Sequence, residues 1–345
     1  KNKTCQVEGT SSSAAIDKTT TGSVTIPETA KGCTVTSISS YAFYNCSGIT
    51  SVTIPNTVLS IGEYAFSWCH GLTSVIIPNS VTSIGGGAFY GCRGLTSLTI
   101  GSGVTSISYH AFSDCGSLTS IIVKEGNTTY DSRNNCDAII ETATNTLIVG
   151  CKSTVIPSSV TSIGSYAFEY CSGLTSITIP EGVTSISSYA FRACTNLAVV
   201  SIPNSMTNIG SNAFRECGLT EVYCYAEEVP RTNSSAFNEA PIALATLYVP
   251  DGTVDTYKAT APWSSFGTII SFGGKVCATP TITYANGELN FYCDTEDVKF
   301  YYEIKDEDVK SGVSNTIKLT ATYYISVYAA KEGYSNSDVV TATLD

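Results

Sequence analysis

Apolar residues recur along most of this chain with a fixed period. An Ala-Phe pair begins at Ala42 and returns every 23 residues, except for one spacing of 56 residues between Ala111 and Ala167. A short fixed period predicts a solenoid, in which each coil buries its apolar side by stacking on its neighbours.

Within each period the apolar positions predict two short strands and a turn. In the second repeat, Leu72, Val75 and Ile77 precede Pro78, so alternate residues of a strand face inward and the proline ends it. A second apolar stretch precedes the next Ala-Phe pair, whose Phe is expected to fill the centre of the coil.

Residues 124–158 interrupt the period. Two apolar runs, 138–140 and 147–149, flank a polar loop and predict a β-hairpin that explains the long spacing.

The two ends of the repeat array are predicted to carry caps. Residues 1–40 read as an irregular first coil, whereas residues 238–274 read as a last strand and a short helix, with Trp263 and Phe266 closing the core. In residues 275–345 the pattern changes to a period of two, with a hairpin signal at Asn286-Gly287. The predicted fold is therefore mainly β: a solenoid of 23-residue repeats with its caps over 1–274, and a small β-sandwich over 275–345.

Cysteine is abundant, with 14 residues, and seven of them follow the same rule. Each of the seven lies four residues after the Ala of an Ala-Phe pair, as Cys69 does after Ala65. A ladder of equivalent positions cannot be fully paired, so buried thiols that act as small apolar side chains are expected there. Among the other seven, Cys136 and Cys151 are the first candidates for a disulfide.

The charge balance narrows the choice of partners. Net charge is -11 and only 14% of residues are charged, which argues against nucleic acid or an anionic membrane as partner. No apolar run approaches the ~20 residues of a membrane span. The sequence starts at Lys1 without a Met or a signal peptide, which suggests either a processed protein or a trimmed chain, so targeting is not predicted from this end.

Residues able to perform chemistry are scarce. The chain has two histidines, His70 and His110, at non-equivalent places in their repeats, and it has no Cys-x-x-Cys or His-x-x-x-His pair. No metal site, cofactor site or catalytic site is therefore predicted, and enzymatic activity is not expected.

The repeat unit Val-Thr-Ser-Ile-Gly-x-x-Ala-Phe-x-x-Cys-x-x-Leu-Thr-Ser-Val-x-Ile-Pro resembles the BspA-type leucine-rich repeats of bacterial surface proteins. The resemblance covers about residues 23–250. The tail from Ala278 resembles the small immunoglobulin-like module related to the chitobiase C-terminal domain. The first resemblance implies a secreted or cell-surface protein that adheres to host proteins or other bacteria, without catalytic residues.

Two surfaces remain as candidates for binding. One is the outward face of the strands, and the other is a row of aromatic residues around the Ala-Phe turns. The candidate residues on them are Glu221, Tyr223, Tyr248 and Ile76 on the strands, and Tyr64, Trp68, Tyr166, Tyr170 and Tyr189 at the turns. Each surface also has a purely structural explanation. The strand residues could be present for their strand propensity alone, and the aromatic rings could pack on each other to seal the edges of the coils.

These observations predict a non-enzymatic, exported or cell-surface protein that mediates protein binding or adhesion through its solenoid. Its expected partners are host or bacterial surface proteins. The alternative is a carbohydrate-recognition component that holds a polysaccharide on the tail module or on the aromatic row.

Overall fold

The structure is a computed structural model that describes residues 4–8, 15–272, 279–285, 288–295, 298–305, 310–312, 316–318, 323–330, 337 and 339–344. By its internal contacts the chain divides into two compact units. One comprises Lys1–Leu247 with Asp255–Ile269, and the other comprises Tyr248–Val254 with Ile270–Asp345. Because residues 273–278 lie outside the described residues, the boundary after residue 274 stays a prediction.

Each 23-residue repeat folds into one coil with two strands and a turn. The strands before the insertion are β1 (Thr4–Val7), β2 (Gly22–Thr25), β3 (Thr29–Ala30), β4 (Cys33–Ile38), β5 (Ile49–Thr53), β6 (Ser60–Ile61), β7 (Ser74–Ile76), β8 (Ser83–Ile84), β9 (Ser97–Ile100), β10 (Ser106–Ile107) and β11 (Ser120–Val123). Strands β1, β4, β6, β8 and β10 form one parallel sheet, with β3 antiparallel to β4. Strands β2, β5, β7, β9 and β11 form a second parallel sheet. Ser74 pairs with Ser97 and Val75 with Leu98, so equivalent repeat positions lie side by side.

The predicted hairpin is present in the insertion, and regular coils resume after it. The strands of this half are β12 (Tyr130–Asp131), β13 (Ile139–Glu141), β14 (Thr146–Val149), β15 (Ser162–Ile163), β16 (Ser176–Thr178), β17 (Ser185–Ile186), β18 (Val199–Ile202), β19 (Asn208–Ile209), β20 (Glu221–Cys224), β21 (Arg231–Thr232), β22 (Thr246–Val249) and β23 (Thr268–Ser271). Strands β13 and β14 pair antiparallel, and β14 then joins β15 in parallel. One sheet runs β12-β13-β14-β15-β17-β19-β21, and the other runs β16-β18-β20-β22-β23.

In the part of the chain that the structure describes, helical structure is confined to short segments. The helix α1 spans Val254–Ala259, and three single turns of 3-10 helix span Arg133–Asn135, Ile242–Leu244 and Trp263–Ser265. Trp263 and Phe266 are buried, and both rings pack against Phe237 of the last Ala-Phe pair. The predicted C-terminal cap of the core is therefore present. Among the described residues, no helix combines the length and apolar character that a bilayer span requires.

The core runs along the middle of the solenoid, as the period predicts. Ala65, Phe66, Cys69 and Leu72 of the second coil are completely buried, and the Phe rings of adjacent coils stack. Full burial of one such apolar side chain contributes about 1.5–3 kcal/mol. Repetition of this set carries the apolar core from each regular coil to the next.

The ladder cysteines are buried, as expected, and they also donate hydrogen bonds. The Sγ of Cys69 donates to the carbonyl of Phe43 at 3.1 Å, and that of Cys92 donates to Phe66 at 3.2 Å. Each thiol thus reaches the coil before its own. The proposed Cys136–Cys151 disulfide is wrong: both residues are thiols, and the Cys151 Sγ donates to the Asp137 carbonyl at 3.3 Å.

The C-terminal unit contains two small antiparallel sheets. Their strands are β24 (Thr281–Ala285), β25 (Glu288–Tyr292), β26 (Lys299–Lys305), β27 (Lys310–Gly312), β28 (Thr316–Lys318), β29 (Tyr323–Ala330) and β30 (Val340–Leu344). The sheet orders are β24-β25-β28 and β27-β26-β29-β30, and Leu289, Phe300 and Val327 are buried in a shared apolar cluster. The pairing of Ala285 with Glu288 agrees with the predicted hairpin, whose turn, Asn286-Gly287, lies outside the described residues. An immunoglobulin-like sandwich stays a prediction for this unit.

Candidate functional site

Two backbone positions adopt the left-handed region in each Ala-Phe turn except the last, where only Glu239 does. In the second coil they are Tyr64 (φ 51°) and Trp68 (φ 64°), one residue before Ala65 and three residues after it. This region costs a residue with a side chain roughly 1–2 kcal/mol, so it favours glycine, and the third coil has Gly87 and Gly91 there. In other coils the same two positions hold large rings despite that cost: Tyr41, Tyr166, Tyr170 and Tyr189.

The residues that precede the alanines form the first row of rings. Tyr41 and Tyr64 stack with their centroids 5.3 Å apart, and Tyr166 and Tyr189 stack at 5.2 Å. The ring of Tyr64 also covers Gly87, where an added Cβ would lie 2.5 Å from it. The glycine of the third coil therefore makes room for its neighbour's ring.

A second row follows the phenylalanines. Trp68 packs edge to face with Tyr90 at 5.3 Å, and Tyr90 meets Tyr170 in the same way at 6.3 Å. Guanidinium groups lie over two of these rings, with Arg93 at 5.5 Å from Trp68 and Arg192 at 5.3 Å from Tyr170. Contacts between a cation and an aromatic face of this kind hold both groups in place.

Between the two rows lies an open cavity of about 400 Å³, which we call the aromatic groove. It is lined by Tyr41, Tyr44, Tyr64, Trp68, Tyr90, His110, Glu169, Tyr170 and Arg192. The structure thus brings together three residues that the sequence singled out, Tyr64, Trp68 and Tyr170. Tyr166 and Tyr189 lie beside the groove and do not line it. The ring centroid of Tyr166 is 3.9 Å from that of His110, a lining residue, and Tyr189 stacks on the other side of Tyr166.

A buried carboxylate at the aromatic groove was missed by the sequence analysis. The side chain of Glu169 is 1% exposed and accepts hydrogen bonds from His110 Nδ1 at 2.6 Å and from a terminal nitrogen of Arg192 at 3.2 Å. A buried charge is tolerated when it is paired and hydrogen-bonded in this way. The available signal was a Glu and an Arg at one repeat position, 23 residues apart.

The phenol of Tyr90 is held in the neutral form. Burial raises the pKa of Tyr90 to about 12, and the nearby Tyr170, Asp114 and Glu169 act in the same direction. Burial, together with Glu169, also raises the pKa of Tyr166 beside the groove. These two rings therefore offer hydroxyl groups that can donate and accept hydrogen bonds.

The strand residues that the sequence singled out lie outside the groove. Ile76 is 60% exposed on β7, and its register partner on β9 is Thr99. The hydroxyl of Tyr223 donates to Glu221 at 2.7 Å, and the ring of Tyr248 stacks with Phe272 at 6.5 Å. The strand face therefore presents an exposed apolar residue among small polar ones and does not form an enclosed site around Ile76.

Comparison with known proteins agrees with the repeat architecture. The profile of the family described as the BspA type leucine rich repeat region matches residues 36–147 and 148–260. No curated protein matches this chain.

Several solved structures are similar to this one. A leucine-rich repeat protein from Eubacterium ventriosum has 22% sequence identity and a TM-score of 0.50, over 76% of this chain and 79% of that one. A leucine rich repeat protein from T. pallidum has 26% identity and a TM-score of 0.37, over 56% and 76%. A leucine rich cell surface protein from Faecalibacterium prausnitzii has 21% identity and a TM-score of 0.37, over 72% and 87%. The first similarity supports the repeat fold.

Proposed function

Because this chain belongs to the family of BspA-type leucine-rich repeat proteins, we propose that it is a non-enzymatic protein of the bacterial cell surface that binds other proteins through its solenoid. Adhesion to host proteins or to other bacteria is the role that fits this location. A rigid array of coils offers a long, preformed surface, so binding costs little conformational entropy.

The aromatic groove is the part of that surface we assign to binding. The observation that carries the assignment is the convergence of large rings from several coils, among them Trp68, Tyr90 and Tyr170, on one open cavity. Tyrosine and tryptophan are also the residues that contribute most to protein interfaces, because each pairs a rigid apolar body with a polar tip.

Polysaccharide binding in the same groove is the second candidate. It is favoured by the combination of aromatic rings with Arg192, which is 27% exposed, since sugar hydroxyls need both stacking surfaces and charged hydrogen-bonding groups. The tail unit could add to such binding through Tyr292, which is 64% exposed.

The test compares binding by the wild-type chain and by a double variant, Trp68→Gly with Tyr170→Gly. Each protein is applied to immobilised extracellular-matrix proteins, to whole bacterial cells and to a glycan array. We expect the double variant to bind its protein target at least about tenfold more weakly, as loss of aromatic hot-spot residues does.

Ile76→Thr provides the matched control, because threonine occupies the equivalent position in the adjacent coils as Thr53 and Thr99. Weaker binding by this control but not by the double variant would move the site to the strand face. Binding to glycans alone, lost in the double variant, would establish the second candidate, and no binding to any surface would refute both.

A further inference from the structure

The central column of phenylalanine rings is interrupted once. Before the insertion the rings stack in sequence from Phe43 to Phe112, with centroids 4.8–5.4 Å apart. After it they stack from Phe168 to Phe237 at 4.9–5.6 Å. No ring contact joins Phe112 to Phe168 in the described part of the chain. The column of rings, though not the whole apolar core, is therefore discontinuous where the repeat spacing is longest.

The backbone ladder between turns is interrupted at the same place. In intact coils the phenylalanine N–H donates to the alanine carbonyl of the next coil, as from Phe89 to Ala111 at 2.8 Å. Across the break the carbonyl of Ala167 is taken by the N–H of Gly150, at 2.8 Å. Among the hydrogen bonds of the described residues, none uses the N–H of Phe112.

Backbone hydrogen bonding between the two turns resumes two residues after Phe112. The N–H of Asp114 donates to the carbonyl of Glu169 at 3.3 Å, and the side chains of His110 and Glu169 join above it. The two coils are thus pinned together on one side of the break and separated on the other.

A cavity of about 520 Å³ occupies the separation, and we call it the break pocket. Its apolar lining includes Phe112, Leu118, Val149 and Phe168, whereas its polar lining includes Tyr109, Tyr130, Glu141, Ser165 and Glu169. This volume lies within the range of about 300–1,000 Å³ that is typical of ligand sites. Apolar groups with a few polar groups beside them are also the usual composition of such sites.

The polar groups of the break pocket limit the kinds of ligand that can bind there. The N–H of Phe112 needs a hydrogen-bond acceptor, because an unsatisfied buried donor costs about 1–3 kcal/mol. The carboxylates of Glu141 and Glu169 in the lining disfavour an anion. In a protein partner, a neutral acceptor and a large apolar group occur together in one residue, as its peptide carbonyl and its side chain.

We propose that the break pocket binds a peptide segment of a partner protein by one large apolar side chain, aromatic or branched, whose own peptide carbonyl accepts from the Phe112 N–H. The side chain takes the place of the ring missing between Phe112 and Phe168. This inference rests on the proposed protein-binding function and adds a residue-specific pocket next to the aromatic groove.

The proposal is tested with a small probe, so that it does not depend on knowing the partner. N-acetyl-L-phenylalaninamide is titrated into the full chain and followed by NMR and calorimetry, with N-acetylglycinamide and N-acetyl-L-phenylalanine as comparison compounds. We expect the first to bind saturably, and both others to bind at least about tenfold more weakly, since one lacks the side chain and the other carries a charge.

Two matched variants locate the binding. Ser165→Trp places an indole in the pocket lining, whereas Ser188→Trp makes the same change one coil later, outside the lining. We expect Ser165→Trp to weaken probe binding at least tenfold with an unchanged melting temperature, and Ser188→Trp to leave it unaltered. Saturable binding that Ser165→Trp does not weaken, or no selectivity for the phenylalanine amide, would overturn the proposal. If Ser165→Trp is unstable, Val149→Phe is used instead, because it enlarges another side chain of the pocket lining.

The two proposals can fail separately. If the probe does not bind but the Trp68→Gly, Tyr170→Gly variant still loses its protein target, the break pocket is refuted and the protein-binding function stands. If the probe binds and the chain recognises no protein or cell, the protein-binding function is refuted instead.

Discussion

His110 and Glu169 are joined across the break in the repeat by a hydrogen bond of 2.6 Å, although 59 residues separate them in the sequence. The carboxylate of Glu169 is buried and also receives Arg192 of the following coil. One side chain therefore ties together the last coil before the insertion and the first two Ala-Phe turns after it.

Replacement of this carboxylate is expected to destabilise the solenoid. Glu169→Ala leaves a buried guanidinium edge and an imidazole without their acceptor, and we expect a loss of about 1–3 kcal/mol in the free energy of unfolding. Urea titration followed by circular dichroism measures it. Glu239→Ala is the control, because its carboxylate is 59% exposed, its partner Arg215 keeps a second partner in Glu216, and such surface pairs contribute about 0–1 kcal/mol. Equal losses in the two variants would contradict the structural role of Glu169.

Removal of a groove ring should cost little stability. Trp68→Gly loses ring contacts worth about 0.5–1.5 kcal/mol, but it also relieves left-handed strain of about 1–2 kcal/mol. We therefore expect the free energy of unfolding to change by less than about 1 kcal/mol. Phe66→Ala, in the same turn, opens a cavity in the core and should cost about 3–5 kcal/mol. A large loss in Trp68→Gly would mean that the ring row seals the coil edge and was retained for stability.

Alkaline pH is expected to weaken the fold through the thiol ladder. Burial raises the pKa of the Cys69 thiol to about 12, whereas an unfolded thiol has a pKa of about 8.5. Below the pKa of the unfolded thiol, Cys69 is protonated in both the folded and the unfolded protein, and its contribution to stability is fully present. Between the two values the unfolded state loses its proton first, so stability falls by about 1.4 kcal/mol per pH unit for this thiol.

Urea titrations at pH 8, 9 and 10 measure that slope. Cys69→Ala should reduce the fall of the unfolding free energy with pH by the amount that one thiol contributes. This holds whatever the substitution does to the stability at pH 8. A thiol reagent at pH 8 should label the native protein at Cys69 only after unfolding. An unchanged slope in Cys69→Ala would show that other groups govern the alkaline transition.

The C-terminal cap should matter more than its size suggests. Trp263 is fully buried against Phe237, and its indole N–H donates to Thr232 at 3.0 Å. Trp263→Ala opens the end of the core and should cost about 3–5 kcal/mol. Leu244→Ala, at a side chain that is 90% exposed, should change stability by less than about 0.5 kcal/mol. Thermal and urea unfolding of the two variants make the comparison.

The sequence predicted the features that repeat. Phe66 and Cys69 are buried because each recurs at a fixed spacing, and a stacked array requires equivalent positions to meet. The hairpin of β13 and β14 could also be predicted, since two apolar runs flank a polar loop.

Features that depend on the break in the period could not be predicted. The contact of His110 with Glu169 exists because the Ala167-Phe168 turn lies against the Ala111-Phe112 turn across the insertion, and the spacing alone does not say which coils then meet. The break pocket has the same origin. The left-handed conformation of Trp68 was missed for a different reason: it belongs to the turn itself, since Asn45, Asp114 and Glu216 adopt it at the same position although local preference favours glycine.

The turn ladder also has a direction. Every phenylalanine N–H in an intact coil donates forwards, so one end of the array would offer unused carbonyls and the other unused donors. Two such ends are complementary to each other but not to themselves, and a contact of that kind propagates into an open filament rather than closing as a dimer. At the first turn the alanine carbonyl is already occupied, because the N–H of Ala15 donates to that of Ala42 at 2.6 Å, and the segment before the array thereby blocks head-to-tail pairing at that end.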